Sequence, residues 1–193
     1  QPESSAASDV YKRQAYYDTS GEITRDETVI RSQSGTYVAD YNKYEFITNV
    51  FVTDPSFTIH SERMDYYTEL GHAYFYGGTT IKGDSYDVKC NRGFFDSNLK
   101  KGYFQDRASI DYNLRNIKGD SIYFDDRNQY AAASQNVQIT DTIGYNVIRG
   151  QYGEIFKERD SAIVTRNPIA IKLINKDSLY IHCLLYTSPS PRD

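Results

Sequence analysis

From Val29 to His182 apolar and polar residues alternate, and one string of an apolar, a basic and a small residue keeps returning. It reads Ile30-Arg31-Ser32, Ile59-His60-Ser61, Val88-Lys89-Cys90, Ile117-Lys118-Gly119 and Ile148-Arg149-Gly150, at intervals of 29, 29, 29 and 31 residues. A sixth copy opens at Ile181-His182. Apolar strand ends at Val52, Ile81, Ile110, Ile139 and Ile171 step by 29, 29, 29 and 32 residues. A looser anchor, the pairs Tyr66-Tyr67, Phe94-Phe95, Tyr123-Phe124 and Ile155-Phe156, falls midway through each unit. A fixed period of this size predicts stacked supersecondary units. Each unit reads as two strands, with Val29 to Asp40 and Tyr44 to Thr53 as the model pair, because neighbouring strand residues point to opposite faces. Asp54-Pro55, Gly77-Gly78, Lys82-Gly83-Asp84-Ser85 and Asn167-Pro168 supply turn chemistry between them. No amphipathic helix of useful length is predicted, and the polar stretch from Asp141 to Asn146 accommodates the lengthened last interval.

A two-stranded unit cannot bury its apolar face alone, so the copies are expected to stack and share one interior. Strand parity assigns that interior to Ile30, Val50, Val52, Ile59, Ile81, Val88, Ala108, Ile110, Ile117, Val137, Ile139, Ile148, Ile169 and Ile171. The small residues Ser32, Ser61, Cys90, Gly119 and Gly150 form a second column. It either lets two sheets approach closely or keeps a slot open. The basic residues Arg31, His60, Lys89, Lys118 and Arg149 are expected to point outward, where charge discourages edge-to-edge pairing or attracts anionic head groups.

Composition narrows the picture. Tyr supplies 19 of the 193 residues and Trp none, so much of the apolar surface is amphipathic and strand-favouring. A formal net charge of -4 argues against a nucleic-acid partner, which needs a basic stripe. No run of about 18 apolar residues is present to cross a bilayer as a helix. The ends look foreign: Ser4 to Gln14 reads SSAASDVYKRQ and Cys183 to Asp193 reads CLLYTSPSPRD. Both resemble in-frame translations of adapter DNA from transposase-based sequencing libraries. Residues 1–14 and 183–193 are therefore expected to be artefacts flanking a natural segment at 15–182, itself an internal piece of a longer protein. That leaves Cys90 as the one natural cysteine, with neither a disulfide nor a CxxC metal pair available. His60, His72 and His182 stand far apart and outside metal or Ser-His-Asp contexts. Asp125-Asp126 reads as turn residues better than as a glycosidase pair. No catalytic residue and no cofactor is assigned, and the chain is expected not to be an enzyme.

Two units carry a more specific signature. Thr48-Asn49-Val50-Phe51-Val52 leads into Ile59-His60-Ser61, and Gln135-Asn136-Val137-Gln138-Ile139 leads into Ile148-Arg149-Gly150, with Gly77-Gly78-Thr79-Thr80-Ile81 a weaker copy. These strings resemble the OstA-like family of organic-solvent-tolerance proteins, which includes lipopolysaccharide-transport proteins of the LptA, LptC and LptD periplasmic-domain type. The resemblance implies an all-β fold, a β-jelly roll or taco of two facing antiparallel sheets built from hairpins of about 29 residues. It further implies non-enzymatic carriage of lipopolysaccharide or a related glycolipid across the periplasm of a Gram-negative envelope, in association with the outer membrane. The aliphatic column would then line the acyl-chain groove. Partners would be other Lpt-type jelly rolls, or further copies of this chain, joined end to end by strand addition. Two units depart from the pattern, at Asp106-Arg107 and at Asn167-Pro168, and are expected to be distorted or edge-like. The competing expectation is a structural β-solenoid, surface adhesin or carbohydrate-binding module with a closed core. It would be favoured if Tyr74, Tyr76 and Tyr112 formed a flat outward platform.

Overall fold

Alternating side chains and turn residues at each period convert the chain into a long antiparallel meander. The computed structural model describes residues 14–112, 114–141, 146–174, 177–182 and 185–188. Its strands are β1 (Gln14–Tyr17), β2 (Gly21–Arg25), β3 (Thr28–Ser32), β4 (Ser34–Val38), β5 (Lys43–Asp54), β6 (Phe57–Tyr67), β7 (His72–Gly83) and β8 (Tyr86–Asp96). They continue as β9 (Lys101–Tyr112), β10 (Arg115–Asp125), β11 (Tyr130–Asp141), β12 (Asn146–Phe156), β13 (Ser161–Thr165), β14 (Ile169–Ile174), β15 (Asp177–His182) and β16 (Leu185–Ser188). A short 3-10 turn at Ala39–Tyr41 is the one helical element among the described residues. From β5 to β12 each strand pairs antiparallel with the next in sequence. The fold is the all-β, jelly-roll-like architecture expected.

The long strands do not run straight. Thr48-Asn49, Asp106-Arg107, Gln135-Asn136 and Arg166-Asn167 each place two successive residues at positive φ, and Gly77 sits at φ 86° in the equivalent place. Left-handed backbone costs a non-glycine residue about 1–2 kcal/mol; here the paired ladders on either side hold it. Each such pair is a bulge that bends its strand sharply, and the neighbouring strand shifts register opposite it. The result is one sheet creased along its middle into two facing halves. Sheet I contains β2, β3, the second halves of β5, β7, β9 and β11, the first halves of β6, β8, β10 and β12, and then β14 and β15. Sheet II contains β1, β4, the complementary halves, and then β13 and β16. The hairpin turns lie along the opposite margin, the mouth.

Several expectations change at this level. The stretch Val29 to Asp40 is two strands, because the crease falls at Gln33, whose N–H donates to the Thr48 carbonyl at 3.0 Å. β3 then pairs with the second half of β5 and β4 with the first. Asp106-Arg107 is not a distorted unit: it adopts the same bend as its counterparts, and β9 is paired along both flanks. At Asn167-Pro168 the chain does break, into β13 and β14, since Pro has no N–H to carry a ladder through the crease. Residues 1–13, 142–145, 183, 184 and 189–193, which include most of the two foreign-looking strings and most of the lengthened turn, lie outside the described residues.

Candidate functional site

The inner face of sheet I is built as the periodicity predicts. Register joins Ile30, Val52, Ile59, Ile81, Val88, Ile110, Ile117, Ile139 and Ile148 into one continuous row across the strands. Val50, Ala108 and Val137 lie in a second row nearer the crease, beside Ser61, Cys90, Gly119 and Gly150. All of these are buried. Ile169 and Ile171 are corrections. Ala170 is the residue opposite Ile148, so it faces inward, whereas Ile169 pairs with exposed Arg149 and Ile171 with Val147 on the outer face. The repeat steps by 31 residues here, from Ile139 to Ala170, just as it does from Ile117 to Ile148. The larger side chain next door attracted the wrong assignment.

The small-residue column sits on the inside of the crease, where the two sheets converge. A Cβ on Gly150 would stand 2.5 Å from Val164 Cγ1, and one on Gly119 would stand 3.2 Å from Ala133 Cβ. Ser61 and Thr79 close the same line with a 2.8 Å hydroxyl pair. The basic column, Arg31, His60, Lys89, Lys118 and Arg149, is exposed on the outer face of sheet I.

Sheet II contributes what the aliphatic pattern did not reveal. Its inner face carries Phe46, Met64, Phe75, Phe104 and Ile122 in one row and Tyr44, Tyr66, Phe95, Phe124 and Ile155 in the next, with Gly93, Gly102, Ala131 and Gly153 interleaved. Phe46, Phe75, Phe95, Phe104 and Phe124 are each at most 1% exposed. The recurring aromatic pairs were the available signal: Tyr66, Phe95, Phe124 and Ile155 are the members that turn inward. Only the bend, which resets strand parity, tells which member does so.

These rings fill the middle of the molecule. Tyr86 and Tyr112 reach from sheet I to Phe124 of sheet II, at centroid separations of 4.6 and 5.4 Å. Tyr112, one of the three tyrosines that a flat outward platform would have needed, is fully buried there. Phe57 meets Phe95 edge-on at 5.5 Å. Polar straps then cross the mouth: Lys157 Nζ donates to Ser85 Oγ at 2.9 Å and lies 4.9 Å from the Tyr112 ring centre. Arg115 pairs with Asp160, donating also to its carbonyl at 3.0 Å. Lys100 donates to Ser56 Oγ and covers the Phe57 ring at 4.4 Å.

At the end formed by β2, β3 and β4 the sheets splay apart. A half-open cavity of about 590 Å3 lies there, with Ile23, Ile30, Tyr37, Tyr44, Phe57 and Tyr66 in its lining. A narrow void of about 40 Å3 continues inward beneath Phe57 toward Ile59, Met64 and Phe95. Arg25, Asp26, Asp54, Glu69 and Lys100 also line the cavity, giving both signs of charge. Burial tends to raise the Asp54 carboxyl, but hydrogen bonds from the Ser56 amide at 3.0 Å, the Ser56 hydroxyl and the Thr28 hydroxyl, helped by Lys100, hold it below the usual carboxylate range. Asp54 therefore stays ionised and anchors the turn at the cavity's margin.

The remaining chemical candidates have structural surroundings. Cys90 is buried in the crease, and burial pushes its thiol up to about 12. Asp125 caps its turn, accepting from the Asn128 amide at 3.0 Å and the Tyr123 hydroxyl at 3.0 Å. His72 lies 3.5 Å from Asp96 on the outer face of sheet II, while His60 stacks beside Phe51 on the outer face of sheet I. Among the described residues no group of three or more His, Cys, Asp or Glu side chains converges as a metal site, and no helix is long and apolar enough to cross a membrane.

No protein-family model matches the chain, and no curated protein matches it. Its fold does match a solved structure: LptH of Pseudomonas aeruginosa, described as the LptA-homologous periplasmic component of a lipopolysaccharide transport device, superposes with a TM-score of 0.53 at 10% sequence identity. The match covers 65% of this chain and 93% of LptH. At that identity the likeness is one of fold, and the chain has the creased β-jelly roll of LptA-like proteins.

Proposed function

We propose that this chain is a non-catalytic carrier of lipopolysaccharide or a related glycolipid in the periplasm, holding acyl chains between its two sheets. The observation that carries the reading is the splayed end: a cavity with apolar side chains on its inner walls and charged ones around them opens there onto the continuous aliphatic row at Ile30. Transfer of methylenes from water to such a wall is worth about 0.8 kcal/mol each, so greasy contacts alone can retain a lipid. LptA-like architecture supports the same reading, as do the outer edges of β1 and β2, which pair with no further strand among the described residues and suit end-to-end strand addition to other jelly rolls. In this account the sealed middle is a scaffold, and acyl chains enter at the wide end.

Site-specific photo-crosslinking in a lipopolysaccharide-producing host tests the proposal. A photoreactive residue at Ile30 or Tyr44 is expected to capture lipopolysaccharide, and one at Lys118, on the outer face, is expected not to. Failure at both inner positions with a folded protein would refute it.

A further inference from the structure

The two outer faces of the creased sheet are unlike each other. On sheet I the middle strands present Thr80, Lys89, Ser109 and Lys118 side by side, an ordinary solvated rung. On sheet II the same four strands present Tyr74, Phe94, Tyr103 and Tyr123 as direct cross-strand neighbours. Cross-strand aromatic pairs do stabilise a sheet, but the same four strands on sheet I do without them. Tyr74 and Tyr103 are 36% and 54% exposed, so the rings are presented to solvent. Four strands at about 4.8 Å spacing make a stripe about 14 Å long, broadened at its β7 end by Tyr76 on one side and by Tyr67 and His72 on the other.

Hydrogen-bonding groups flank the stripe directly. Arg92 and Gln105 lie on its crease side, Asp96 and Lys101 on its mouth side. The charges balance, which disfavours a polyanion or an anionic membrane surface as occupant. A protein partner buries about 800 Å2 on each side around a dry central cluster, whereas these rings are interrupted on both flanks by Arg63, Arg92, Gln105, Asp96 and Lys101 and offer no dry centre of that size. A pyranose chain has the matching form: each sugar lays a C–H face on an aromatic ring and turns its hydroxyls sideways. Successive rings are tilted, Tyr74 to Phe94 by 46° and Tyr103 to Tyr123 by 47°. The stripe is a twisted ridge and fits a single chain in solution, not a flat crystalline surface.

The geometry points to a second binding site, for a neutral pyranose glycan chain laid across Tyr74, Phe94, Tyr103 and Tyr123 on the outer face of sheet II, with its hydroxyls meeting Arg92, Gln105 and Lys101 on either side.

Affinity electrophoresis of the full chain through gels containing hydroxyethyl cellulose, laminarin or dextran tests this, with calorimetry on any polymer that retards it. Retardation by at least one polymer, unchanged between low and high salt, is expected. Tyr103→Ala should weaken binding about tenfold, equivalent to about 1.4 kcal/mol, while Tyr103→Phe should retain it. No retardation by any of the three polymers overturns the proposal, as does retardation that Tyr103→Ala leaves intact or that salt abolishes. Self-association that depends on concentration and disappears in Tyr103→Ala would assign the stripe to a second copy and overturn it too. Lipid capture at Ile30 is independent of these outcomes.

Discussion

Phe124→Ala distinguishes a packed middle from an open trough. Phe124 is fully buried, and its ring touches Tyr86 and Tyr112 across the gap between the sheets. Its neighbours in register are Gly102 and Ala131, which have no side chain able to swing into the space it leaves. Phe to Ala in a core costs about 3–5 kcal/mol, the larger values where the site cannot collapse, so a loss of about 4–5 kcal/mol is expected. For a chain of this size that corresponds to a fall in Tm of about 10–15 °C. Urea titration followed by circular dichroism reads the same change as a lower midpoint at an unchanged slope. If the middle were a slot kept open for lipid, the ring would line a wetted wall and the variant would lose no more than about 1 kcal/mol. That result, with an unchanged slope, would refute the sealed interior and return the whole trough to the lipid.

Three other outcomes follow from named contacts. Gly150→Ala should destabilise by about 1–3 kcal/mol in chemical denaturation, because its Cβ would meet Val164 Cγ1 at 2.5 Å and the Thr165 carbonyl at 2.9 Å; Gly119→Ala, at 3.2 Å from Ala133 Cβ, should cost less. Burial, ahead of the attraction of Lys43 and the repulsion of Glu45, raises the Asp65 carboxyl above the ordinary carboxylate value. The folded state then holds that proton more tightly than the unfolded chain. Stability is greatest below the unfolded value and is lost as pH rises through the folded one. Asp65→Asn should therefore raise Tm at pH 7 and lose that advantage near pH 3, and a Tm gain independent of pH would contradict it. In a Cys183→Ser background, Cys90 should resist a thiol reagent until the protein is unfolded, since its thiol is buried and pushed up to about 12; prompt labelling under native conditions would show that the crease opens.

What the chain's own pattern determined is the repeat, the strand order that follows from short turns, and the face that carries Ile59, Val88, Ile117 and Ile148. Period and parity are local properties, and each unit states them again. The basic residues between those positions were legible for the same reason. What only the tertiary structure decided begins at the bend. Thr48-Asn49, Gln135-Asn136 and Arg166-Asn167 each end in Asn, which tolerates left-handed backbone, but Asp106-Arg107 adopts the same bend without it and Gly77 alone serves in β7, so the pattern is too variable to place the whole crease from sequence. Parity resets in the strands opposite those bends, between Ser61 and Met64 and between Gly119 and Ile122, which is why Phe124 and not Tyr123 is fully buried; cross-strand register, in turn, sets Ala170 and not Ile171 opposite Ile148. Hydrophobic pattern says which side chains leave water, but not what they meet. Whether two apolar faces enclose a slot or close on each other depends on the summed volume arriving from both sheets. Here the aromatic side chains of sheet II close the middle and leave the splayed end open.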